Sequence, residues 1–352
     1  MKLSSKSTEN EFDFIIKARQ EARKVVEYYK SFLEDAIHVE IPLQELKGVK
    51  NLRKIAALDG GERKQSLVAS SVIVVRAGGG IFEKDRKIKK KIMHDIYITS
   101  IYQEIDRFSH LLRDILEFKI ALSLVEEGPE VLIMDGSLIG YVSQGVPNNV
   151  IGRLNDSVIP QKPIQEYVEA YRLYLKLYDQ LLKVCRKNNI LLLGVSKDSR
   201  VRYLVEQYDL NSALTDYALL KLKMKKPSVT DPMTIPYSFH TQKLQDYVNQ
   251  NKYLQSDLAT FNLCYFKLKR ETMPIRVDFP QWQSRRFDEI MSIMETYHDE
   301  KGFLMTAHLV HNWAVMKQII LSSAVNAIKE EVLKIEPSIY DAIFAPQRRD
   351  AI

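Results

Sequence analysis

Apolar residues near the N-terminus recur at helical spacing. Phe12, Ile15, Ile16, Ala22, Val25, Val26, Tyr29 and Leu33 are interleaved with Lys, Arg and Glu, which predicts an amphipathic helix over residues 11–37. Pro42 and Gly48 punctuate the connector that follows. The pattern then turns β-like, with strands expected at 54–58, 66–75 and 91–100 and Gly78-Gly79-Gly80 expected to form a tight turn. Helical spacing returns over 106–126 through Leu111, Leu112, Ile115, Leu116, Ile120 and Leu124. A short apolar run at 131–134 reads as a buried strand ending in Asp135-Gly136. Residues 145–163, with Pro147, Pro160 and Pro163, read as a loop. A helix over 167–186 and a fully apolar strand at 190–194 come next. Beyond Lys225, Pro227, Pro232 and Pro236 interrupt the chain. Strands are then expected at 260–268 and 275–279, and helices over 286–294 and 303–333.

This order of helix, strand meander, helix, strand, helix, strand and mixed tail points to an α/β or α+β domain with a mixed sheet, not a clean doubly wound one. Composition agrees: 352 residues with 45% hydrophobic and 27% charged positions suit a globular chain with a sizeable core. Cys185 and Cys264 are too few for a disulfide framework and too far apart for a zinc knuckle, so a reducing cytoplasm is expected. No apolar run approaches the ~20 residues of a membrane span, and the polar start, Met1–Asn10, lacks the core of a signal peptide. The net charge of +6 fits an anionic partner or a solvated surface equally well.

Several chemistries are excluded by spacing. No Gly precedes Gly-Lys-Ser/Thr at P-loop distance, Gly78–Gly80 lacks the G-x-G-x-x-G pattern, and no H-E-x-x-H occurs. Ser137 in Gly136-Ser137-Leu138-Ile139-Gly140 is one position too early for a nucleophile elbow. Two segments instead share a design. Ile55-Ala56-Ala57-Leu58 and Leu132-Ile133-Met134 each run into Asp-Gly, at Asp59-Gly60 and Asp135-Gly136. Each would hold a carboxylate at the end of a buried strand, and two such carboxylates on neighbouring strands call for a raised pKa or a divalent cation. Asp-Gly is also a common turn dipeptide. Glu117 sits beside the apolar stripe of its helix, as a boundary residue whose stem snorkels or as a carboxylate aimed inward. His308 and His311, three apart in a helical stretch, could bind a metal together given a third ligand.

Five stretches in order resemble the NurA nuclease family. They are Ala57-Leu58-Asp59-Gly60-Gly61-Glu62-Arg63 with Ser70–Gly79, then Leu116-Glu117-Phe118-Lys119-Ile120-Ala121-Leu122, Ile133-Met134-Asp135-Gly136-Ser137-Leu138, Gly194-Val195-Ser196-Lys197-Asp198-Ser199-Arg200, and Ala307-His308. The resemblance implies an RNase H-like core with a mixed central sheet flanked by helices. A nuclease domain would span residues 51–315, with an N-terminal helical extension (1–50) and a C-terminal helical segment (316–352) packed on the same domain. It further implies that Asp59, Glu117, Asp135 and His308 form a catalytic divalent-metal site holding two Mn²⁺ or Mg²⁺ ions, with Asp216 as a further candidate ligand. Lys197 and Arg200 would meet DNA phosphates. The implied activity is 5′–3′ exonuclease and single-strand endonuclease action on DNA, in double-strand-break end resection and homologous recombination. Implied too are a homodimer, a hexameric HerA-type helicase/ATPase partner, and a cytoplasmic, nucleoid-associated home in an archaeon or bacterium. A non-catalytic DNA-clamping subunit of a motor complex, and an RNA-directed nuclease on the same core, are the alternatives.

The basic runs Lys84–Lys91 and Lys221–Lys226 read either as solvated faces or as parts of a DNA path. The 18 tyrosines would suit base stacking, although Tyr171, Tyr174 and Tyr178 fall at helical spacing and read more simply as core.

Overall fold

The computed structural model describes residues 5–46, 53–83, 86–101, 104–143, 145–159, 162–197, 200–210, 214–236 and 241–344. Gly48, Lys84, Pro160, Asp198 and Ser199, which figure in the sequence patterns above, lie outside them. Among the described residues, ten strands form one sheet: β1 (Leu43–Glu45), β2 (Ile55–Ser66), β3 (Ser71–Glu83), β4 (Arg86–Thr99), β5 (Val131–Asp135), β6 (Leu191–Ser196), β7 (Ser228–Thr230), β8 (Met233–Ile235), β9 (Phe261–Lys267) and β10 (Ile275–Pro280). Their spatial order is β1-β7-β9-β10-β6-β5-β2-β3-β4, with β8 also paired to β9. The first three long strands, β2 to β4, make an antiparallel meander. Strand β5 then lies parallel to β2, and β6 parallel to β5. The order β4-β3-β2-β5-β6 is the RNase H-like core expected from the resemblance, and β10 and β9 extend it antiparallel.

Period-two alternation sorts the strands' side chains between two helical layers. Ala56, Leu58, Leu132, Met134 and Leu192 face one layer, built on the Ile105–Val125 and Lys162–Lys187 helices. Ile55, Ala57, Ile133, Leu193 and Val195 face the other, where Ile290, Ile293, Ala307 and Val310 come from the Phe287–Thr296 and Met305–Ala314 helices. Strand β6 is buried on both sides, which is why its sequence is continuously apolar. The long helices fall where their spacing predicts, including the N-terminal one (Ser5–His38), but the helix expected over 303–333 is two, Met305–Ala314 and Gln318–Ile335, and short helices such as Asn148–Ile151, Asp216–Lys223 and Gln242–Gln250 lie outside the expected segments. Leu321 and Val325 of the Gln318–Ile335 helix pack on Val72 and Val74 of β3.

The meander departs from expectation. Its strands are longer than their apolar stretches, because the outer half of β2 (Glu62–Ser66) pairs with β3 alone and keeps polar side chains. The Gly78-Gly79-Gly80 triplet is no turn but the middle of β3. A Cβ on Gly78 or Gly80 would come within 2.8 Å of Trp313, and one on Gly79 within 2.7 Å of Ile120. Side-chain-free backbone lets helices close on both faces of the sheet at that point.

Candidate metal centre

Strands β2, β5 and β6 run parallel, so their carboxyl ends open on one side of the sheet. The β2–β5 ladder stops at Leu58 and Met134, and the next residue on each strand is an aspartate. Asp59 and Asp135 share the parity of Ala57 and Ile133, which directs both toward the Met305–Ala314 helix. His311 on that helix meets them, its Nδ1 lying 2.7 Å from Asp59 Oδ2. One ligand atom from each of Asp59, Asp135 and His311 lies within 4.8 Å of the other two. Just past the end of β6, Lys197 Nζ donates to Asp135 Oδ2 at 2.6 Å.

Glu117 approaches from the opposite layer. It sits in the Ile105–Val125 helix, 3% exposed, and lies against Gly60, outside the Asp59–Asp135–His311 cluster. A Cβ at Gly60 would stand 2.1 Å from Glu117 Oε1. The Tyr141 hydroxyl donates to Glu117 Oε2, and Arg113 Nε lies 3.3 Å from Oε1. Arg113 also holds Asp114 at 2.8 Å and Glu62 at 3.2 Å. One guanidinium thus serves three carboxylates in a nearly closed compartment.

The electrostatics favour a bound cation. Burial is the main cause of a raised Asp59 pKa, with Asp135 adding like-charge repulsion and the contacts from His311 and the Gly60 amide opposing both. Glu117 is pushed well above the ordinary carboxylate range, first by burial, while Asp114 and Asp59 raise it against Arg113 and Tyr141. A divalent ion relieves such repulsion directly. Carboxylate oxygens with one imidazole nitrogen suit Mn²⁺, a borderline ion, at least as well as Mg²⁺.

His308, expected at the site, is turned away from it. It is exposed and lines a cleft with Asp299, Glu300, Lys301 and Phe303. The buried stripe of its helix is Thr306, Ala307, Val310 and Ala314. At about 100° per residue, His311 borders that stripe while His308 points outward. Asp216 is fully buried elsewhere, accepting from the Val205 amide at 3.0 Å and the Tyr265 hydroxyl at 2.6 Å. These bonds tie the Tyr203–Gln207 helix to β9 and leave Asp216 apart from the ligand cluster among the described residues. Arg200 is exposed just beyond Lys197.

Asp278 carried no sequence signal, lying in an apolar strand. It is fully buried, pairs with Arg276 at 2.9 Å and accepts from Ser137 at 2.5 Å. It thereby fixes the turn that follows Asp135.

The NurA domain family model matches residues 53–312, most of the chain and every residue of this cluster. The chain belongs to the NurA family. The NurA nuclease from Sulfolobus solfataricus superimposes with a TM-score of 0.67 at 17% identity, covering 92% of this chain and 97% of that one. A NurA structure with manganese gives 0.61 at 14% identity, covering 90% and 98%. NurA bound to dAMP and manganese gives 0.53 at 14%, covering 90% and 95%. At these identities the likeness establishes a shared fold across nearly the whole NurA chain. No curated protein matches the sequence.

Proposed function

We propose that this NurA-family chain is a divalent-metal-dependent DNA nuclease. The observation that carries the reading is the meeting of Asp59, Asp135 and His311 where the parallel β2–β5 ladder stops, with Glu117 held against Gly60 in the other layer. Two Mn²⁺ or Mg²⁺ ions at such a site would supply an activated water, a polarised phosphate and a stabilised leaving oxygen. Asp59, Asp135 and Glu117 would hold the ions, and His311 takes the ligand place assigned to His308 by resemblance. His308 then faces substrate or solvent from the same helix. Lys197 presents a cation at the carboxyl end of β6, beside Asp135, where it would meet a phosphate oxygen, and Arg200 extends that charge outward. The manganese and dAMP bound by the related NurA proteins support both metal and substrate class.

The fuller reading is a 5′–3′ exonuclease and single-strand endonuclease that acts in DNA-end resection as a homodimer with a hexameric HerA-type translocase. The exposed Phe14, Val25 and Val26 of the N-terminal helix offer apolar surface that a partner chain would cover. No helix among the described residues is long and apolar enough to cross a membrane.

Cleavage of end-labelled single-stranded DNA, duplex DNA and RNA with Mn²⁺, Mg²⁺ or EDTA tests the reading, run beside Asp59→Ala and Asp135→Ala. Metal-dependent DNA cleavage abolished by either substitution is expected. A folded wild type that binds DNA but cuts nothing under any metal, or that prefers RNA, would overturn it.

A further inference from the structure

The basic run along β4 is divided between the two faces of the sheet. Lys89 pairs with Glu127, and Lys91 donates to Ser123 O at 2.8 Å and lies 3.5 Å from Glu127. Both are engaged with the helical layer that carries Glu117. A β-bulge between the Ile81 and Phe82 pairings sets Lys87 opposite Phe82 and Lys90 opposite Gly80. Phe82 and Gly80 share a face, so Lys87 and Lys90, three positions apart, point together toward the Met305–Ala314 helix.

There they meet Trp313. Lys90 Nζ stands 4.8 Å and Lys87 Nζ 5.8 Å from the indole centroid. The half-exposed ring rests over Gly80, 6.0 Å from Phe82 and nearly parallel to it. Both lysines are exposed, and neither has a carboxylate partner among the described residues. This cluster adjoins the metal centre by construction. Gly78, under Trp313, is the cross-strand partner of Asp59, and His311 lies two residues before Trp313 on the same helix. Lys90 is two strands across and two residues along from Asp59, about 12 Å at the usual strand spacing and rise. A single strand covers that distance in about two nucleotides.

We infer that Trp313, Lys87 and Lys90 form a docking platform for single-stranded nucleic acid beside the metal centre. The indole stacks on a base, and the two ammonium groups move from the ring to the flanking phosphates. An aromatic face combined with unpaired lysines is the combination that holds single strands without reading their sequence. The inference takes its ligand class from the nuclease reading, and its test needs no cleavage.

The test is binding of a short fluorescein-labelled oligodeoxythymidylate to the full chain in EDTA, by anisotropy. Trp313 emission is followed in a Trp282→Phe background, which leaves one tryptophan. Emission should change on binding. Trp313→Leu should weaken binding about tenfold, within the range for loss of one stacked base. Lys87→Ala/Lys90→Ala should lower the slope of log affinity against log salt by about 1.4, near 0.7 per phosphate contact on a single strand. The lysine pair is on the surface, so it stays informative if Trp313→Leu loosens its glycine cradle. Unchanged Trp313 emission with wild-type affinity and salt slope in the lysine variant would overturn the platform, whether or not the protein cuts DNA. Quenching and weakened binding in a protein that never cuts would support the platform and remove the nuclease reading.

Discussion

Gly60→Ala isolates the seating of Glu117 against Gly60, beside the metal centre. The added Cβ would lie 2.1 Å from Glu117 Oε1, 2.7 Å from Arg113 Cγ and 2.8 Å from Glu117 Cδ. Gly60 lies within a paired strand, so alanine should adopt its backbone without difficulty and the clash is the whole perturbation. The strand is locked between β3 and the helix, which leaves the carboxylate to move by about 1 Å, a displacement that costs on the order of 100-fold in rate at a positioned site. Overpacking should destabilise the fold by about 1–3 kcal/mol, partly offset by the gain of ~0.4–1 kcal/mol on replacing glycine. The protein should therefore still fold. Initial rates of oligonucleotide cleavage at saturating Mn²⁺ measure the effect, in wild-type and Glu117→Ala backgrounds. The substitution should cost about 100-fold in the first and almost nothing in the second, where the obstructed carboxylate is gone. Wild-type rates for Gly60→Ala, or equal losses in both backgrounds, would refute the reasoning.

Other substitutions separate the roles of neighbouring groups. Lys197→Met should lower kcat by about 100-fold, the usual loss of one preorganised charge, without weakening Mn²⁺ binding, since Asp135 loses a competitor; rates and Mn²⁺ titrations on one preparation check both. The pKa of Glu117 is raised on folding, so the folded protein holds a proton that the unfolded chain releases as pH climbs above the ordinary carboxylate range. Stability from this group is therefore greatest at low pH and declines as pH rises toward its folded value. Metal-free wild type should melt with Glu117→Gln near pH 4 and below it near pH 8, a difference that Mn²⁺ reverses; a gap that does not change with pH would contradict the assignment. Asp216→Asn should cost about 1–3 kcal/mol through weakened bonds from Val205 and Tyr265 while leaving Mn²⁺ affinity unchanged, as melts with and without metal would show.

Much of this architecture could be read from residue patterns, and the shortfalls have physical causes. Alternation and helical spacing located the core strands and the long helices because burial dictates those patterns. The two Asp-Gly pairs pointed to two carboxylates that the fold brings together, for a partly wrong reason. Only β5 ends at its aspartate; β2 continues through Asp59, and Gly60 is there to admit Glu117, not to turn the chain. The glycine triplet misled in the same way, since a close approach from another element leaves no local mark distinguishing it from a turn. His311 was visible only as one of a pair, and choosing it requires knowing which face of its helix meets the sheet. Asp278 and Tyr141 act through partners 141 and 24 positions away, a relation that only the fold creates.

Binding of Mn²⁺ to the full chain, followed by electron paramagnetic resonance of the free ion, tests the central claim most directly. Asp59→Asn and Asp135→Asn should abolish tight binding and His311→Ala should weaken it about 10- to 100-fold, the scale of losing a group that holds or orients the metal, while His308→Ala binds as wild type does. Retained binding in both aspartate variants, or a loss confined to His308→Ala, would contradict the account.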